Sequence, residues 1–504
     1  MTASRQAGLA RANGIWYQYG GPQAIQVSGK TFWGWVNVEG DIRVASYDHT
    51  NGAVVETVIS AGLCVDDHAP PSLLIRSSDG RVLVFYTMHG GADIWWKISV
   101  NPYDISSFGA EKHTTTARKH ADYLQPVVVP SESKIFLFYR AVNNTLLRSW
   151  NFMVSTDDGD TFGNEAVLRH NFNPTDQYIV NPYTIPISDG VSKIHFLTFE
   201  YRQIRLGGMP HSICHFYYDD GKLFKSDGTY VKDMGDAIHE IDEVTVVDPR
   251  TGVNIWDIAL DDNGYPVVVY VRFENYINDH QYRYARWNGT QWNHYEIVSG
   301  GGPIAEATGR EWYSGGICLN RNNPSIVYAS CEVEPRIFEI FEYITSDWGE
   351  NWQFVKKYVG NPNVKNFRPQ YPRNADEEHI KLFFISGDYK DLREYGPCDI
   401  LCYPKLPFLR HTITTDTYEE IERRLRIAEE KLKIEGSARM HAEQNYLRTK
   451  KAMDVIRTST SYQLGSTLVQ AIRKPGYSTL MLPYRLTRLF WKALKKITRQ
   501  RQLR

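Results

Sequence analysis

The chain has 504 residues, of which 42% are hydrophobic, 13% aromatic and 23% charged, with a formal net charge of −1. This is a globular, aromatic-rich composition, and with no run of 18 apolar residues it offers no helical membrane span. The small net charge conceals an asymmetry: residues 411–504 carry 20 Lys+Arg and 9 Asp+Glu, net +11, leaving −12 on the rest, so the tail is expected to have its own electrostatic partner.

The opening residues, MTASRQAGLARANG, lack the apolar run of a signal peptide, and the expected compartment is the cytoplasm. From about residue 15 to residue 408 the chain reads as strand and turn. Seven times a turn-rich stretch runs into a β-branched or aromatic strand, starting near Thr31, Arg81, Lys134, Lys193, Tyr265, Ser325 and Ile380. The intervals are 50, 53, 59, 72, 60 and 55 residues. Such a unit is too short for a domain and too long for one hairpin. It suits a four-stranded blade, which buries both faces only by packing against copies of itself. The expected fold class is all-β: a seven-bladed β-propeller over residues 1–410, with loops gathered around one central pocket.

Within the second repeat, His68 and His89 stand equidistant from Ser78 and Asp79 in APPSLLIRSSDGRVLVFYTM. A two-residue turn there would set the histidines opposite each other on one sheet face, with Cα atoms about 5 Å apart. Asp66 and Asp67 precede His68 and are suited to orient an imidazole. Three eight-residue turns follow further on: STDDGDTF at 155–162, YYDDGKLF at 217–224 and TSDWGENW at 345–352. The first is an Asp box, the last a shifted form and the middle one a degraded copy. In this motif an Asp and a hydroxyl bond turn amides, and an aromatic plugs the blade. The box is structural and carries no chemistry.

The six cysteines are scattered, and neither CxxxC at Cys398 and Cys402 nor HxxCH at 211–215 has a second half. Buried free thiols are expected, with no metal and no cofactor. Near Thr415 the period changes: Tyr418, Ile421, Leu425, Ala428 and Leu432 follow 3-4 spacing, which predicts a coiled-coil-like helical segment over 411–460 and a route to self-association. In 461–504, Leu486, Leu489, Phe490, Ala493, Leu494 and Ile497 share one helical face opposite Arg488, Lys492, Lys495, Lys496 and Arg499. This predicts a basic amphipathic helix that lies on an anionic membrane surface without crossing it. Nucleic acid is not an expected partner, since aromatic interleaving and a binding motif are missing.

DDHAPPSLLIRSSDGRVLVFYTMHGG, FLFYR, STDDGDTF, KIHFLTFEYR, HSICHFYYDDGKLFKSDGTY and WDIALDDNGYPVVVY keep the order of motifs of the BNR-4 propeller family, which the chain resembles over about 15–400. That family includes seven-bladed polysaccharide lyases that cleave uronate polymers such as ulvan. The resemblance implies a β-elimination on an acidic polysaccharide. It places the two family histidines on His68 and His89, the tyrosine on Tyr183 in NPYTIP and the arginine on Arg202 in FEYR. Arg140 in FLFYR is expected as a further substrate contact. Tyr201, also expected at the substrate, stands where many members have His-Pro. Two alternatives remain open: a non-catalytic glycan-binding propeller, and a sialidase-like hydrolase clamping a carboxylate with Arg76, Arg140 and Arg202. The tail resembles the C-terminal segments of bacterial surface-polysaccharide glycosyltransferases, which implies a site at the inner face of the cytoplasmic membrane.

Overall fold

The computed structural model describes residues 4–413, apart from 7, 12, 119, 143–147, 171–178, 204–209, 274–278, 308–309, 377 and 405–409. Met1–Asp416 forms one compact unit, an all-β propeller. Among the described residues there is no α-helix, only the 3-10 turns Pro130–Glu132 and Ile241–Glu243.

Each blade is an antiparallel meander. Ser72–Ile75, Val82–Thr87, Asp93–Ile98 and Lys112–Thr115 form one. Asp122–Val129, Lys134–Val142, Arg148–Ser155 and Gly163–Arg169 form the next. The middle strands are continuous apolar runs because both faces are covered. Val82, Val84 and Tyr86 join a cluster with Trp33, Trp35 and Val44 of the preceding blade, and Leu83 and Phe85 join Trp96, Leu137 and Met153 on the other side. Each such side chain contributes roughly 1.5–3 kcal/mol of burial. The Asp boxes lock neighbouring blades as expected. Asp157 accepts from the Ser155 hydroxyl at 2.8 Å and the Thr161 amide at 2.9 Å, while Phe162 packs edge-on against Phe85 and Trp96 of the preceding blade.

The inner strand Ala24–Val27 neighbours Ser72–Ile75 on one side. On the other it meets the loop after Lys365–Gln370, where Gln26 N–H donates to the Arg373 carbonyl at 2.8 Å. That junction closes the ring. Outer edges are covered by terminal strands: Gly8–Arg11 pairs with Glu394–Tyr403, Ser4–Gln6 with Gln353–Val359. Such covering removes open sheet edges that would template association.

Two expectations need correction. Seven separate blades are not found. Five sheets stand alone, and the seven strands from Ile317–Leu319 to Glu394–Tyr403 join Ser4–Gln6 and Gly8–Arg11 in one continuous nine-stranded sheet. The cause is a parallel bridge from Phe338 to Lys365, which joins two meanders that the sequence interval treats as independent. The helical segment expected from 411 begins as strand, since Arg410–Ile413 pairs in parallel with Ala53–Ser60. The remainder of that segment and the basic tail 461–504 lie outside the described residues.

Candidate active site

Strands Ser72–Ile75 and Val82–Thr87 pair Ile75 with Val82 and Ser72 with Phe85, a register centred on Ser78 and Asp79. The turn is wider than the expected two residues, because Arg76 N–H still bonds the Arg81 carbonyl at 2.8 Å. At the opposite end of this hairpin, His68 lies in the loop entering the first strand and His89 in the turn leaving the second. Their rings stack, with centroids 4.7 Å apart and planes 9° from parallel. His68 also stacks on Tyr17 at 4.0 Å.

Two buried carboxylates hold the pair. Asp66 accepts from the His68 backbone N–H at 3.0 Å and bonds His89 Nδ1 at 2.8 Å. Asp67 bonds His68 Nδ1 and accepts from Tyr389 Oη at 2.8 Å. Guanidinium groups balance them: Arg393 on Asp66 and Arg368 on Asp67, each at 2.8 Å. Burial alone would raise the Asp66 carboxyl; the hydrogen bonds from His68 and His89 outweigh it and hold the group well below the usual range. The imidazoles split. Burial depresses both, but the charge of Asp67 and the bonds from Asp66 and Asp67 bring His68 above its ordinary value. For His89 burial and the neighbouring His68 prevail over Asp66, and its value falls.

A second group faces the pair. Asp122, fully buried, accepts from Arg140 at 2.5 Å and from the Gly90 amide at 2.6 Å, beside His89. Gly90 has φ of +79°, which a side chain would resist. Arg140 donates its other nitrogen to Tyr183 Oη at 2.6 Å and lies 4.5 Å from the centre of the Tyr123 ring. Asp122 and Tyr123 are aimed by a bulge in their strand, with Tyr123 at φ +57°. Arg368 sits in the same kind of bulge at φ +51°. Such backbone is costly for residues with a Cβ and concentrates at functional sites.

These groups surround a cavity of about 270 Å³ lined by Tyr17, Tyr19, His68, His89, Arg140 and Tyr183, among others. Four of the residues expected at the site therefore meet: His68, His89, Tyr183 and Arg140. Arg140, expected as a substrate contact, is on the cavity wall, 2% exposed and bonded to Asp122 and Tyr183. Arg202 and Tyr201 pair with Val180 and Asn181 in the adjoining strand, and their side chains lie outside the described residues. Arg76 does not line the cavity. It binds Asp79 at the far turn of the hairpin, so no clamp of Arg76, Arg140 and Arg202 forms there. Sequence reasoning missed Arg148, Arg310, Tyr313 and Asn254, which complete the lining. Arg148 and Asn254 come from the ends of two strands, Arg310 and Tyr313 from one loop, and no shared motif marks them.

Asp66, His68 and His89 each offer a ligand atom, all within 4.8 Å of one another, and are the metal-suited cluster among the described residues. The fit is poor. Two guanidinium groups already neutralise the carboxylates, and both Nδ1 atoms face carboxylate oxygens.

Residues 30–299 match the family model described as BNR repeat-containing family member. Among solved structures, a polysaccharide lyase PL25, an ulvan lyase, superposes with TM-score 0.63 at 18% identity, covering 79% of this chain and 95% of its own. The same lyase bound to -[GlcA(1-4)Rha3S]- matches equally, at TM-score 0.63 and 18% identity over the same shares. These likenesses show a shared fold. No curated protein matches the sequence.

Proposed function

The chain belongs to the BNR repeat-containing family, and from that premise we propose that it cleaves an acidic, uronate-containing polysaccharide by β-elimination. The observation that carries the function is the stacked His68–His89 pair, backed by buried carboxylates and open to a cavity with tyrosines and arginines. The lyase of like fold is bound to a repeat containing GlcA, which supports a uronate as substrate class.

A uronate has an acidic C5 proton beside its carboxylate. Asp66 accepts from His89 Nδ1–H, which leaves the Nε2 lone pair of a neutral imidazole to take that proton. As the C5–H bond breaks, charge spreads into the carboxylate. Arg148 and Arg310, on the cavity wall, stabilise it. The electron pair then forms the C4=C5 bond and expels O4. Tyr183 Oη accepts a hydrogen bond from Arg140, so its own proton is free to pass to the departing oxygen, and the guanidinium stabilises the phenolate left behind. His68, with its raised value, is the cation that keeps His89 neutral. Proton return from His89 to Tyr183 through water completes the cycle.

The test is incubation with glucuronate-containing polymers while following absorbance of the unsaturated uronate. A signal abolished in His89→Ala supports the reading. Saturable binding without absorbance makes the protein a glycan-binding propeller instead.

A further inference from the structure

A second cavity, about 370 Å³, opens between the sheet carrying Lys193–Gln203 and the sheet carrying Pro266–Phe273. That volume lies within the range of small-molecule sites, roughly 300–1,000 Å³. Its lining includes Asp189, Lys193, His195, Tyr217, Asp227 and Tyr265. Asp189 and Tyr265 come from turns between first and second strands of their meanders, whereas His89 lies in a turn between second and third. Successive turns of a meander lie at opposite ends, so this cavity is on the face away from His68 and His89.

Its polar wall is a relay of neutral groups. Trp292 Nε1–H donates to Ser226 Oγ at 3.1 Å, Ser226 Oγ bonds His215 Nδ1 at 2.7 Å, and His215 Nε2 bonds His195 Nδ1 at 3.1 Å. His195 is 6% exposed, and its Nε2 has no partner among the described residues. Burial pushes His195 down to about 4 and holds His215 well below its ordinary value, so both stay neutral and can meet a hydroxyl group as donor or acceptor. An apolar platform completes the cavity. Tyr265 reaches across the turn at Gly289, where φ is +97° and a Cβ would stand 2.9 Å from the Tyr265 hydroxyl. Tyr217 takes the position that Ser155 and Thr345 hold in the other two turns of this kind, and its ring stacks on His195 at 5.5 Å.

Charge narrows the ligand. The Asp189 carboxylate is fixed by three turn amides, those of Val191, Ser192 and Lys193, and Asp227 by the Thr229 amide. The Lys193 ammonium is 3.7 Å from the Asp219 carboxylate and 5.1 Å from the centre of the Tyr217 ring. The rim is therefore net negative and disfavours a uronate or sulfate. We propose that this cavity is a second carbohydrate site, taking a neutral pyranose through stacking on Tyr265 and hydroxyl contacts to His195. The inference does not rest on elimination at the central cavity.

Saturation-transfer NMR and calorimetry on the full chain test it, with methyl glycosides of glucose, galactose and rhamnose as probes and methyl glucuronoside as the acidic counterpart. At least one neutral glycoside is expected to bind saturably, with the glucuronoside weaker. Tyr265→Ala is expected to weaken the neutral glycoside about fivefold, and the exposed Asp227→Asn to narrow the gap to the glucuronoside. Near-UV circular dichroism checks that both variants fold. The proposal is overturned if no neutral glycoside saturates, or if folded Tyr265→Ala binds like the parent.

Discussion

Among the described residues three histidine pairs stack, His68–His89, His170–His239 and His195–His215, and the groups behind the first and last differ. His68 and His89 stand on buried Asp66 and Asp67, which are themselves balanced by Arg368 and Arg393. His195 and His215 stack at 5.3 Å with Ser226 behind them. A carboxylate behind an imidazole lets one ring hold a proton while its neighbour stays neutral, as the proposed elimination requires of His89. A hydroxyl group behind an imidazole leaves both rings neutral, giving a wall suited to binding. On the two proposals, one residue type at one kind of spacing serves two purposes, decided by the groups behind the rings.

The comparison can be broken at several points. The largest expected effect is His89→Ala, which lowers the elimination rate by about 10²–10⁴-fold with substrate binding retained; steady-state kinetics alongside calorimetry checks this. Next, Arg368→Met strands the Asp67 carboxylate, and denaturant unfolding should report a loss of about 3–5 kcal/mol.

A smaller effect concerns pH. The proton acceptor must be neutral, so the rate falls as pH drops through the His89 value, which lies below its ordinary 6.5. Asp66→Asn removes an anion that raises this value, so the acidic limb of the pH profile moves lower still. A limb that stays in place or rises would assign the limb to another group. The smallest effect is at the other pair. Ser226→Asp puts a carboxylate behind His215, and NMR titration should show the His195–His215 pair protonating at higher pH than in the parent.

The repeat is legible in sequence because middle strands such as Val82–Thr87 are buried on both faces and so read as unbroken apolar runs. The centre of the His68–His89 hairpin is legible for a similar reason, since register follows from symmetry about a turn. Joining of blades is not: the Phe338–Lys365 bridge links strands whose intervals look like any other. Nor is most of the site. Asp122, Tyr123 and Arg368 reach it through bulges, and a shift of one residue in a ladder leaves no compositional trace. Tyr17, Arg148 and Tyr313 meet only because the ring closes.

The most direct measurement is mass spectrometry of the products formed from a glucuronate-containing polysaccharide in water enriched in heavy oxygen. Elimination by His89 and Tyr183 predicts fragments ending in an unsaturated uronate, which carry no oxygen from water when reduced with borohydride as they form to stop exchange at the anomeric carbon. Saturated ends, with solvent oxygen at the new anomeric carbon under the same quench, would contradict the account.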